Sequence, residues 1–109
     1  MAELTFNTSL GIPKTSGDGI YAYIEAQGSP EIEVFRVKSS NASDWFFSRR
    51  FKKIKSIMIQ NHGATFATGV ARDPPKVIAT QGTATANAKV TITHTATAEF
   101  FSVIVFGEL

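Results

Sequence analysis

The chain has 109 residues, 18% of them charged and none a cysteine, and carries a net charge of +2. That length fits one domain with one real core, and the lack of cysteine excludes both a disulfide framework and a thiolate metal site. Its apolar runs are too short to span a bilayer, and Met1-Ala2-Glu3-Leu4-Thr5 lacks the basic and apolar regions of a signal peptide. A soluble protein used without secretion is the expectation.

Alternation of apolar and polar residues lays out a series of short strands. Leu4 and Phe6 alternate with Thr5 and Asn7 as a first candidate, and Ser16-Gly17-Asp18-Gly19 marks a turn. From Ile20 to Glu25, Ile20, Ala22 and Ile24 fall on one side and Tyr21 and Tyr23 on the other. Gln27-Gly28-Ser29-Pro30 breaks that run. Glu31 to Lys38 follows, and its charged ends predict an edge strand guarded against stray pairing. Ser39 to Asp44 reads as a polar loop, with Trp45-Phe46-Phe47 either a short helical turn or a loop plug.

The strand rhythm returns over Ile54 to Gln60, with Asn61-His62-Gly63 as a turn, and again over Thr65 to Ala71. Asp73-Pro74-Pro75 ends it, because two prolines cannot continue a ladder. Val77 to Thr80 is next. Lys89 to Thr95 then alternates strictly, with Val90 and Ile92 inward and Thr91, Thr93 and Thr95 outward. The last run, Phe100 to Phe106, is apolar on both faces, which predicts a strand in the middle of a packed sheet with neighbours in front and behind. Seven or eight short strands with no amphipathic helix of normal length predict an all-β chain. Residues 1–109 form a single β-sandwich or jelly-roll-like domain on this reading.

Charge is distributed unevenly. Residues 1–35 hold five carboxylates against Lys14, a balance of −4, whereas residues 36–76 hold nine cations against Asp44 and Asp73, a balance of +7. Such a chain can meet copies of itself or present its basic third to an acidic partner. The two histidines, His62 and His94, match no metal-ligand spacing; Asp44, Asp73 and Glu99 are their nearest carboxylate candidates by type. No serine lies in a nucleophile-elbow pattern. The threonine row from Thr91 to Thr97 reads as a solvated strand face, where β-branched residues are favoured.

The segment with the most to say about function is Arg49-Arg50-Phe51-Lys52-Lys53-Ile54-Lys55, preceded by Trp45-Phe46-Phe47. Cations beside rings suit single-stranded nucleic acid, with charge for phosphates and rings for base stacking. The same residues equally describe core-plugging aromatics beneath a solvated basic rim, or a protein contact, and that reading is preferred given the modest net charge.

Asp44-Trp45, Phe51, Lys52-Lys53-Ile54-Lys55-Ser56-Ile57, Gln60-Asn61, Lys89-Val90-Thr91-Ile92-Thr93 and Phe101-Ser102-Val103-Ile104-Val105-Phe106-Gly107 follow one another in a recognisable order. Over these residues the chain resembles a group of small β-rich proteins encoded by tailed bacteriophages. The acidic first third and Pro74-Pro75 are not part of the pattern. The resemblance implies a virion-associated structural protein without enzymatic activity or cofactor, made in the host cytoplasm. Its most concrete form is a capsid decoration or cement protein bound to the major capsid protein or another virion protein. A homo-oligomer or lattice array is expected, with Arg49, Arg50, Lys52, Lys53, Lys55, Trp45, Tyr21 and Tyr23 as partner-binding residues, and no membrane or nucleic-acid partner. A tail- or fibre-associated glycan-binding module and a single-stranded nucleic-acid-binding domain are the alternatives.

Overall fold

Seven strands form, six of them on runs read from the sequence and β3 where a loop and a plug were expected: β1 (Gly19–Ala26), β2 (Glu31–Ser39), β3 (Ser43–Phe47), β4 (Lys53–Gly63), β5 (Lys76–Thr80), β6 (Lys89–Thr93) and β7 (Glu99–Glu108). The computed structural model describes residues 3–7, 12–26, 31–67, 75–94 and 98–108. The expected break at 27–30, the end of the run expected over 65–71, Asp73-Pro74, and Thr95 and Thr97 lie outside them.

The strands form two antiparallel sheets, one in the order β1-β2-β7-β4 and one in the order β3-β6-β5. This is an all-β sandwich. Its core is built where alternate residues of both sheets meet. Phe35 and Val37 of β2 and Phe101, Val103 and Val105 of β7 face Phe46 of β3 and Val90 and Ile92 of β6, all fully buried. The Phe35 and Phe46 rings meet 4.5 Å apart across the gap. Gly107 serves the same packing. A Cβ there would lie 2.6 Å from the Phe51 ring, so the absence of a side chain lets that buried ring close the end of the core.

β7 takes the central place expected of it, pairing with β2 along Ser39–Glu31 and with β4 along Lys53–Gly63. Its outer face departs from expectation. Phe101, Val103 and Val105 have the second sheet in front, but among the described residues no layer covers the mid-strand Ile104 behind.

Four further expectations are corrected. β2 is an interior strand, flanked by β1 and β7, and β1 and β4 are the edges. The charges of β2 meet partners inside the fold and so give no protection to an edge. Trp45-Phe46-Phe47 forms strand, not helix or plug, because its register on β6 sends Phe46 into the core. In β1 a register shift between Ile20 and Ala22 breaks the alternation. Ile20 is buried and Tyr23 packs on Phe35, while Ile24 turns outward and is 63% exposed. A bulge of this kind re-aims every side chain beyond it. At the N-terminal end, Leu4 and Phe6 do not make a strand of their own; a single bridge joins Glu3 to Trp45.

Candidate functional site

Arg50 is the residue around which the acidic third of the chain is arranged. Its Nε lies 3.2 Å from Glu25 Oε2 and 3.5 Å from Glu33 Oε2, and Nη1 lies 3.9 Å from Glu31 Oε2. Nη2 donates to the carbonyls of Ile32 at 2.9 Å and Ala26 at 3.2 Å. Glu33 is fully buried, and it also accepts from Ser48 Oγ at 2.6 Å, the Arg50 amide at 2.9 Å and Tyr23 Oη at 2.8 Å. Burying a carboxylate is costly unless it is hydrogen-bonded and paired, and these partners meet that need. Burial first, then hydrogen bonds to Glu25 and Glu33, push the Tyr23 hydroxyl far above its ordinary range. The cluster stitches β1 and β2 to the connection between β3 and β4. It leaves the Arg50 side chain only 14% exposed.

The rest of the basic segment is dispersed. Arg49 sits over the rings of Phe6 at 4.8 Å and Tyr23 at 5.4 Å. Lys53 and Lys55 both approach Glu108, at 3.8 and 3.4 Å. Lys52 is half-buried in the connection before β4. The aromatic candidates are dispersed too. Tyr21 lies on the outer face of the larger sheet against Phe66 and Phe100. Tyr23 lies between the sheets, and Trp45 stands on the outer face of β3 with Lys89 Nζ 5.4 Å from its ring. The structure therefore brings Arg49 and Tyr23 together and separates them from Tyr21, Trp45, Lys53 and Lys55.

A second polar cluster was missed in the sequence as a unit. Ser39 Oγ lies 2.8 Å from His94 Nε2, and His94 Nδ1 lies 2.8 Å from Glu99 Oε1. This is the order of atoms in a serine hydrolase triad. Accessibility rules out that chemistry: Ser39 is fully buried, and the side chains of His94 and Glu99 are 3% and 1% exposed. Ser39 Oγ also donates to Asp44 Oδ2 at 2.6 Å, so its proton is committed there. Asn61 Nδ2 donates to the far oxygen of Glu99 at 3.1 Å. β2, β3, β4, β7 and the residue after β6 thus meet in one buried polar fastener. The signal in the sequence was parity: Ser39 falls on the inward side of β2, in step with Phe35 and Val37, and Asp44 in step with Phe46.

The described surface includes an open groove of about 540 Å³, lined by Leu4, Phe6, Ile20, Phe47 and Arg49 among others. It runs between the N-terminal segment and the end of β3. Phe47, on the same outward side of β3 as Trp45, is exposed at its rim. Among the described residues no group of three or more histidine, aspartate or glutamate side chains is placed to hold a metal ion. No family model, curated protein or solved structure matches the chain.

Proposed function

We propose that the chain is a structural component of a tailed-phage particle, a capsid decoration protein that binds the shell surface. The observation that supports this reading is the edge at β3. Trp45 and Phe47 project from one side of it, and Arg49 reaches the groove beside them. The exposed Phe47 ring and the Arg49 guanidinium both line that groove, with Trp45 half-buried one step along the strand. Rings and guanidinium groups are the residue types that anchor protein contacts. The resemblance over Asp44 to Leu109 adds the virion as the setting. The two densest polar clusters are spent on joining the sheets, so binding would be passive, and persistence would come from many copies on a lattice.

This reading also separates protein contact from nucleic-acid binding. Arg50 is neutralised by carboxylates, and Lys53 and Lys55 share Glu108, which leaves the segment poor in free phosphate contacts. Tight, steeply salt-dependent binding to DNA or RNA is not expected.

The test is to purify particles on a density gradient, detect the chain by mass spectrometry and locate it with a gold-labelled tag in particle images. Many copies on the head surface are expected. Phe47→Ser combined with Arg49→Glu should fold normally and lose incorporation. Absence of the chain from purified particles, or incorporation of that variant at unchanged occupancy, contradicts the proposal. Arg50 is unsuitable for this test, because changing it would probe folding.

A further inference from the structure

The larger sheet has a second face that, among the described residues, is covered only at one end, where Phe66 meets Tyr21 and Phe100. Antiparallel register places Ile24, Val34, Ile104 and Met58 in one line across all four strands, β1 to β4, on the side away from the core. The next line holds Ala26, Ile32 and Phe106, followed by Ser56. Ile24 and Met58, at the two ends of the first line, are 63% and 58% exposed. The outer face of the smaller sheet is unlike it. There the lines read Phe47-Lys89-Thr80, Trp45-Thr91-Ile78 and Ser43-Thr93-Lys76, rings and cations mixed with threonines and no unbroken apolar line.

We infer that this outer face of the four-stranded sheet is an isologous interface between two copies of the chain. Three features select a second copy as the occupant. The first is size. Four strand widths by nine residues make a footprint of roughly 19 Å by 30 Å, about 570 Å² per partner, which is the small end of specific interfaces and suits a weak dimer. The second is symmetry. A two-fold axis parallel to the strands, between β2 and β7, lays Ile24 on the other copy's Met58 and Val34 on its Ile104. Two sheets can then pack face to face at about 10 Å.

The third feature is charge. Lys53 and Lys55 lie at one end of the face with Glu108, and Arg36 and Lys38 at the other end, above the rings of Phe66 and Phe100. Under that axis the β2 cations come opposite Ser102 and Phe100 of β7, and the β4 cations come opposite the Ala26 end of β1. No cation faces a cation, so the rim does not oppose the apolar centre. This interface goes beyond the decoration reading and does not depend on the identity of any particle.

Sedimentation equilibrium of the purified full-length chain tests it. A concentration-dependent doubling of mass is expected, and Met58→Lys and Ile24→Lys should each raise the dimer dissociation constant at least tenfold while leaving the far-ultraviolet dichroism unchanged. The chain has no cysteine of its own. Ile24→Cys mixed with Met58→Cys should therefore cross-link on oxidation more readily than either variant alone. A monomer at millimolar concentration overturns the inference, as does a dimer whose dissociation constant neither lysine variant moves. Monomeric protein that binds anionic phospholipid vesicles through Met58 overturns it in favour of a membrane surface. None of these outcomes bears on whether the chain decorates a particle, which the particle images decide separately.

Discussion

The two faces of β7 carry the same kind of residue and meet different fates. Val103 and Val105 lie against the second sheet and are fully buried, while Ile104 between them stays half-exposed in a line ending at Ile24 and Met58. Hydrophobicity alone therefore does not say which face becomes core. What decides it is whether another element of the same chain is available to cover it, and the three strands of the smaller sheet can cover only one side. An apolar line left open across four strands is a demand for contact that the described residues of the chain do not satisfy.

The sharpest way to break the comparison is to open the covered side at its buried arginine–glutamate cluster. Arg50→Ala leaves Glu33 buried without its counter-ion and should cost about 3–5 kcal/mol, read from denaturant unfolding. A loss below about 1 kcal/mol would show that Glu33 finds water or another partner and that the cluster is peripheral. Truncation of the apolar inner face comes next. Val105→Ala should cost about 1–3 kcal/mol, as other buried large-to-small changes do.

On the open side, Ile104→Ala in dilute protein should change stability by less than about 1 kcal/mol, because the removed methyl groups already meet water. The smallest effect expected is one of pH. The folded Tyr23 hydroxyl titrates above the ordinary 10.0, mainly through burial and then through Glu25 and Glu33. Its contribution is fully present below pH 10 and declines as the pH rises beyond it, since only the unfolded chain then loses the proton freely. Tyr23→Phe should flatten that alkaline decline in an unfolding series from pH 9 to 11.

Most of the strand plan was legible because inward residues alternate with outward ones, as Val90 and Ile92 do against Thr91 and Thr93. The central place of β7 was legible for a different reason, the unbroken apolar run from Phe100 to Phe106. The place of β2 was not. Its charged ends look like edge protection, and only long-range pairing reveals that Glu31 and Glu33 turn toward Arg50, 17 or more residues away in sequence. The bulge in β1 was invisible because Ile20-Tyr21-Ala22-Tyr23-Ile24 alternates without a flaw, and the shift is set by the partner strand. The Ser39–His94–Glu99 cluster gathers side chains up to 60 residues apart, which no local pattern can announce, although a serine at an inward position was a cue. At the candidate site, Trp45 and Arg49 stood out as types. Arg50 stood out equally and proved to be a core fastener, because a guanidinium and its carboxylates cannot be matched before the fold is known.

The most direct test of the two-face account is the unfolding temperature of the unchanged chain, Val105→Ala and Ile104→Ala, each followed over a hundredfold range of protein concentration. The account predicts a midpoint that rises with concentration for the unchanged chain and for Val105→Ala, the latter displaced downward throughout. For Ile104→Ala it predicts a midpoint near that of the unchanged chain at low concentration that no longer rises. Equal loss for both substitutions at every concentration would contradict it, and would mean that both faces of β7 are core.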